Sequence, residues 1–150
     1  MNSAGRCLFD WARYIALSEN LLERMAEDEE DLARCGISRA YYGAFHLVVA
    51  YMKQNNLYRN VVGEGSHQTV IRDCASFQRA SNQDAGKLWG QISEALKRLR
   101  DLRKKADYEG VYFRGSIPPV ACMKNELIKA IHHAKDVQEK VASLRIVEAP

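Results

Sequence analysis

Apolar positions along this chain recur at steps of three and four, which predicts helices. Leu8, Trp11, Ile15, Ser18, Leu22 and Met25 form one such stripe, so the first helix is expected over about 8–25. A second is expected over about 31–54, with Tyr41, Ala44, Phe45, Val48 and Met52 on its apolar side. Ser66 is placed to cap a third, from His67 to about Phe77. Ser81-Asn82-Gln83-Asp84 resembles a capping box, and Leu88, Ile92, Leu96, Leu99, Leu102 and Ala106 then run to a helix end near Tyr108. Pro118-Pro119 suit the first turn of a fifth helix, whose stripe is Val120, Met123, Leu127, Ile131, Ala134, Val137, Val141 and Leu144. No stretch alternates with a period of two. The pattern therefore predicts an all-α fold, an up-and-down antiparallel bundle of about five helices in one domain, 1–150, with its core over about 8–142.

The second helix breaks the usual division into a wet and a dry face. Ser38-Arg39-Ala40-Tyr41-Tyr42-Gly43-Ala44-Phe45-His46 has almost no polar surface and must be buried on nearly every side. Gly43 and Ala50 share a face with Arg39, Tyr42 and His46, and would let another backbone approach. Arg39 and His46 are seven residues apart, ~10 Å along the axis. They form a candidate acid–base pair, although both can equally serve buried backbone groups or neighbouring helices.

Composition narrows the class. The chain has 150 residues, 47% apolar and 27% charged, which suits one globular domain able to bury a core. A net charge of +3 is too small for a protein that coats nucleic acid by charge alone. Cys7, Cys35, Cys74 and Cys122 are widely spaced, so they are expected to be reduced, mostly buried thiols of a cytoplasmic protein. Neither a signal peptide nor a membrane span is visible. His132 and His133 lack companions, so no metal and no cofactor is expected.

Charge does gather in one place. Lys97, Arg98, Arg100, Arg103, Lys104 and Lys105 crowd the end of the fourth helix around one acid, Asp101. Basic residues suit a helix C-terminus, but this density also suits a phosphate-bearing partner, RNA first among them. Arg103 and Asp107 are four apart and share a face, with Tyr108 beside them. Such a carboxylate can hold a guanidinium ready for a phosphate. His67, next to the capping serine, reads as structural.

Three segments together resemble the HEPN superfamily, the helical nucleotide-binding domains of higher eukaryotes and prokaryotes, in its small single-domain branch. They are the Ser38–His46 stretch, Gly65-Ser66-His67-Gln68, and Leu102-Arg103-Lys104-Lys105-Ala106-Asp107-Tyr108. The resemblance spans about 8–142. It implies a helical bundle that pairs as a homodimer, for which the Gly43–Ala50 surface and the fourth helix are candidate faces. It also implies a role in RNA-directed toxin–antitoxin or defence systems, a nucleotidyltransferase partner protein, and metal-independent endoribonuclease chemistry. That chemistry uses an Arg followed, four to six residues on, by a His. Here Arg103 matches the Arg, but Asp107-Tyr108 stand where the His is expected. A carboxylate accepts hydrogen bonds without donating. The catalytic assignment is therefore Arg103, Asp107 and Tyr108 with Arg39 and His46 in reserve, and Lys97, Arg98, Arg100, Lys104 and Lys105 as the RNA- or phosphate-binding set. The alternative is a non-catalytic module that docks a nucleotidyltransferase or binds a nucleotide.

Overall fold

The computed structural model describes residues 8–26, 29–59, 65–113 and 122–148. They form five helices and, among the described residues, no strand: α1 (Ala12–Arg24), α2 (Glu30–Gln54), α3 (Ser66–Ala80), α4 (Gln83–Tyr108) and α5 (Met123–Val147). The periodicity located each of them to within a few residues. Helix α1 begins later than expected, because Asp10 Oδ1 accepts the amide of Ala12 and leaves Leu8 and Phe9 outside it. Helix α3 begins earlier. Gly65 is its N-cap and Ser66 its first residue, with no side-chain cap bond, so Ser66 is not the cap. At α4 the Asn82 side chain does accept from the Ala85 amide, at 2.9 Å. Pro118-Pro119, Val61-Val62 and Cys7 lie outside the described residues.

Helices α2, α4 and α5 pack against one another at the centre; α1 covers α2 and α5, and α3 covers α4. Side-chain contacts give the directions. Ile15 of α1 and Trp11, its N-cap, lie on Gly43, while Ser18 donates to the carbonyl of Gly36 at 2.8 Å, so α1 and α2 are antiparallel. Ser38 meets Asp107, and Tyr51 meets Trp89, so α2 and α4 are antiparallel. Tyr112 donates to Glu126 and Trp89 to Glu148, so α4 and α5 are antiparallel too. Helix α3 is antiparallel to α4, with Ser93 donating to the Ile71 carbonyl. It therefore runs in the same sense as α2.

The core is filled by Trp89, Tyr41, Tyr51, Ile15, Ile37, Met52, Ile92, Leu96, Leu99, Leu127, Leu144 and Val48, all essentially inaccessible. Each aliphatic member contributes ~1.5–3 kcal/mol relative to exposure. The Ser38–His46 stretch is buried as its composition demands; only Arg39, Tyr42 and His46 keep partial access. A Cβ on Gly43 would stand 3.0 Å from the carbonyl oxygen of Trp11. The close approach at Gly43 is thus taken up inside the protomer by α1. Among the cysteines, Cys74 is buried, Cys122 half-buried and Cys35 exposed, so the described thiols are not mostly buried. No helix of the described residues is long and apolar enough to cross a membrane.

Candidate active site

The last turns of α4 are fixed from α2. Arg34 Nη1 lies 3.2, 3.0 and 2.6 Å from the carbonyl oxygens of Lys105, Ala106 and Glu109. A helix ends with carbonyls that lack partners, and here a guanidinium supplies the donors and the positive charge the dipole favours. Glu30 holds Arg34 from the other side at 2.7 Å. This clamp sets the position of Arg103, Asp107 and Tyr108.

Arg103 is buried, its side chain only 8% exposed. Nη1 donates to the Tyr108 hydroxyl at 3.2 Å and lies 3.7 Å from Asp107 Oδ2. Asp107 in turn accepts from Ser38 Oγ at 3.4 Å. The guanidinium sits over three rings, 5.1 Å from the centre of Tyr41, 5.5 Å from Tyr108 and 5.6 Å from Tyr42. Its Nε is buried with no hydrogen-bond partner. The predicted trio of Arg103, Asp107 and Tyr108 is therefore one unit. The carboxylate lies alongside the guanidinium without a close fork, so the positive charge is only partly compensated.

The imidazole nearest this unit comes from α3. Tyr41 Oη lies 2.7 Å from His67 Nδ1, and the His67 ring stacks on Phe45 with centres 4.3 Å apart. Burial, then the charge of Arg103, pushes His67 below the ordinary imidazole value, so the ring is neutral near pH 7. Burial pushes the Tyr41 phenol up, with Arg103 and Arg100 pulling the other way, so it keeps its proton. With the phenol donating, Nε2 carries the imidazole proton; with Nδ1–H donating, Nε2 offers a lone pair. Arg103, Tyr41 and His67 thus come from α4, α2 and α3 and meet at one place.

The reserve pair is arranged differently. Arg39 lies over Tyr14, 5.1 Å from the ring centre, and over Tyr42 at 5.6 Å. His46 stacks on Trp11 with centres 4.0 Å apart. Burial, then Lys53, pushes it below the usual range. The two side chains are directed to different aromatic neighbours, and no hydrogen bond joins them.

The basic cluster divides by face. Lys97 and Arg100 line a groove between α3 and α4 with Gln68, Ile71, Arg72, Ala75 and Asp101. Arg98 faces the α5 side, 3.4 Å from Glu94 and beside His133. Lys105 lies 5.7 Å over the Tyr112 ring, and Lys104 is exposed. His132 and His133 are neighbours with ring centres 5.8 Å apart. Among the described residues, no three His, Cys, Asp or Glu side chains gather in a way that could hold a metal ion.

The arrangement offers a buried cation aimed among tyrosines, a neutral imidazole held by a phenol, and a basic groove on one flank. Sequence reasoning placed the cation and its acid, and assigned His67 a structural part. Its one signal was Gly65-Ser66-His67-Gln68, which belongs to the resemblance but carries no spacing to α4. Comparison with family models, with curated proteins and with solved structures finds no match for this chain.

Proposed function

We propose that this chain is a HEPN-type helical domain that acts on RNA, and that Arg103, Tyr41 and His67 form a metal-independent phosphodiester-cleaving centre. The observation that carries this reading is the buried Arg103 guanidinium beside a neutral imidazole fixed by a tyrosine. A strand would place its phosphate against Arg103, with Asp107 and Tyr108 orienting the guanidinium. With Nδ1–H donating to the Tyr41 oxygen, His67 Nε2 has a free lone pair, and the 2′-hydroxyl gives its proton to it as the hydroxyl oxygen bonds to phosphorus. Arg103 carries the charge that builds on the non-bridging oxygens, and the 5′-oxygen leaves and takes a proton from water. His67 supplies the imidazole that the Arg103–Asp107 segment lacks.

The same reading includes a homodimer, a cytoplasmic setting, and a toxin or defence role alongside a nucleotidyltransferase partner. Tyr108, whose hydroxyl meets Arg103, is 73% exposed and Val111, past the end of α4, is 63% exposed, which supplies apolar surface for a second copy. Light scattering that gave only the mass of one chain at micromolar concentration would count against the dimer.

A second reading is a non-catalytic binding module. It is favoured by Asp107, which already sits 3.7 Å from Arg103. RNA incubated with purified protein in EDTA separates the two. Cleavage by the wild type, reduced ~10²-fold or more in Arg103→Ala and in His67→Ala, supports the first. RNA binding without cleavage supports the second. Equal cleavage by wild type and both variants overturns the assignment.

A further inference from the structure

The groove between α3 and α4 has a volume of about 380 Å³, at the lower end of small-ligand sites. Its floor is apolar, from Ile71 and Ala75. Its walls carry three cations, Arg72, Lys97 and Arg100, against one carboxylate, Asp101, and Gln68 adds an amide at the rim. Arg100 Nε is buried without a hydrogen-bond partner. An apolar floor under a net positive wall is the wrong lining for an aliphatic ligand and for a cation. It suits a flat, partly apolar group joined to an anion. Arg72 is exposed at the lip, where a planar guanidinium can lie against a base.

The groove shares its two helices with the site described above, and its Arg100 lies near enough for its charge to act on Tyr41 and His67. Arg100 and Arg103 are three residues apart on α4, ~4.5 Å of axial rise, and so neighbour one another on the helix surface. Gln68 follows His67 directly on α3. The two edges of the groove are thus extensions of the two helices that supply Arg103 and His67.

We propose that this groove binds a nucleotide unit, its base on Ile71 and Ala75 and its phosphate against Arg72, Lys97 and Arg100. The unit is either one residue of an RNA strand whose neighbouring phosphate lies at Arg103, or a free nucleotide. Only the first source rests on the RNA-cleaving reading.

Calorimetric titration with AMP, with inorganic phosphate and with a single-stranded RNA tetramer tests this, read as binding and not as cleavage. Two variants alter the groove from its exposed rim or half-buried floor: the double charge reversal Arg72→Glu/Lys97→Glu, and Ala75→Trp, which fills the slot. Circular dichroism melting confirms that each folds. The expected result is AMP bound ~10-fold more tightly than phosphate, with AMP affinity falling ~10-fold or more in both variants. An RNA tetramer that binds ~10-fold more tightly than AMP, an advantage erased by Arg103→Ala, identifies the strand as the source. An RNA tetramer no tighter than AMP identifies the free nucleotide. AMP affinity equal to that of phosphate, or unchanged in both variants, overturns the proposal. A wild type that binds AMP in this groove-dependent way yet never cleaves RNA sinks the ribonuclease reading and leaves this one standing.

Discussion

Removing Arg34 should loosen the end of α4 more than an average surface substitution would. One nitrogen, Nη1, serves the carbonyls of Lys105, Ala106 and Glu109, but it carries only two hydrogens, so at most two of the three contacts are full bonds. Hydrogen bonds to a charged group are worth ~1.5–3 kcal/mol each when buried. The Arg34 side chain is 20% exposed, so water recovers part of the loss. The attraction between the guanidinium and the helix C-terminus adds ~0.5 kcal/mol, and the exposed Glu30 pair only a few tenths. The net expectation for Arg34→Ala is ~2–3 kcal/mol of lost stability, or ~5–10 °C in Tm for a chain of this size. Urea unfolding followed by circular dichroism measures it. Arg34→Lys keeps the charge without the fork and should lose about half as much. Glu30→Gln should change stability by less than ~0.5 kcal/mol. A loss under ~0.5 kcal/mol in Arg34→Ala would refute the clamp, because it would mean that solvent satisfies those carbonyls equally well.

Glycine replacements give a paired contrast. A Cβ at Gly86 would stand 2.5 Å from the Gln78 carbonyl oxygen, so Gly86→Ala should destabilise by ~1–3 kcal/mol despite its better helix propensity. Gly65 has open space and right-handed helical φ and ψ, so Gly65→Ala should be neutral or stabilising by up to ~1 kcal/mol in the same urea assay. His67 is held below the ordinary imidazole value of 6.5, so the unfolded chain binds its proton first as pH falls. Stability is then full above 6.5 and drains as pH falls through the folded value, and His67→Gln should flatten that slope in urea titrations from pH 7.5 down to about 5. His46 and His133 are shifted the same way, so some slope should remain. In thiol labelling with an aromatic disulfide, Cys35 should react in the native state, and Cys74, buried with its thiol pushed up, should react only on unfolding.

Local features were readable in advance, and features made by distant segments were not. The helices follow from steps of three and four, and Arg103, Asp107 and Tyr108 meet because one helical turn brings them together. Tyr41 and His67 are 26 positions apart, and no periodicity links them. Arg34 reaches carbonyls 71 to 75 positions away, and a sequence scan for helix caps looks only at neighbouring residues. A glycine within a helix carries no signal of what it faces, and only the fold shows that the missing Cβ of Gly86 admits the Gln78 backbone of α3. Arg39 and His46 had suitable spacing, but aromatic rings on both sides offered each a nearer partner.

The contact between Trp11 and His46 makes the protein its own optical titrator. The chain has two tryptophans, and Trp89 is sealed in the interior. Trp11 instead lies face to face with an imidazole, and a protonated imidazole quenches an adjacent indole. Emission should therefore dim as acid charges His46 and brighten again on return to neutral pH, without any added dye. The same signal reports whether α1 is seated, since lifting that helix off α2 would part the two rings and end the quenching.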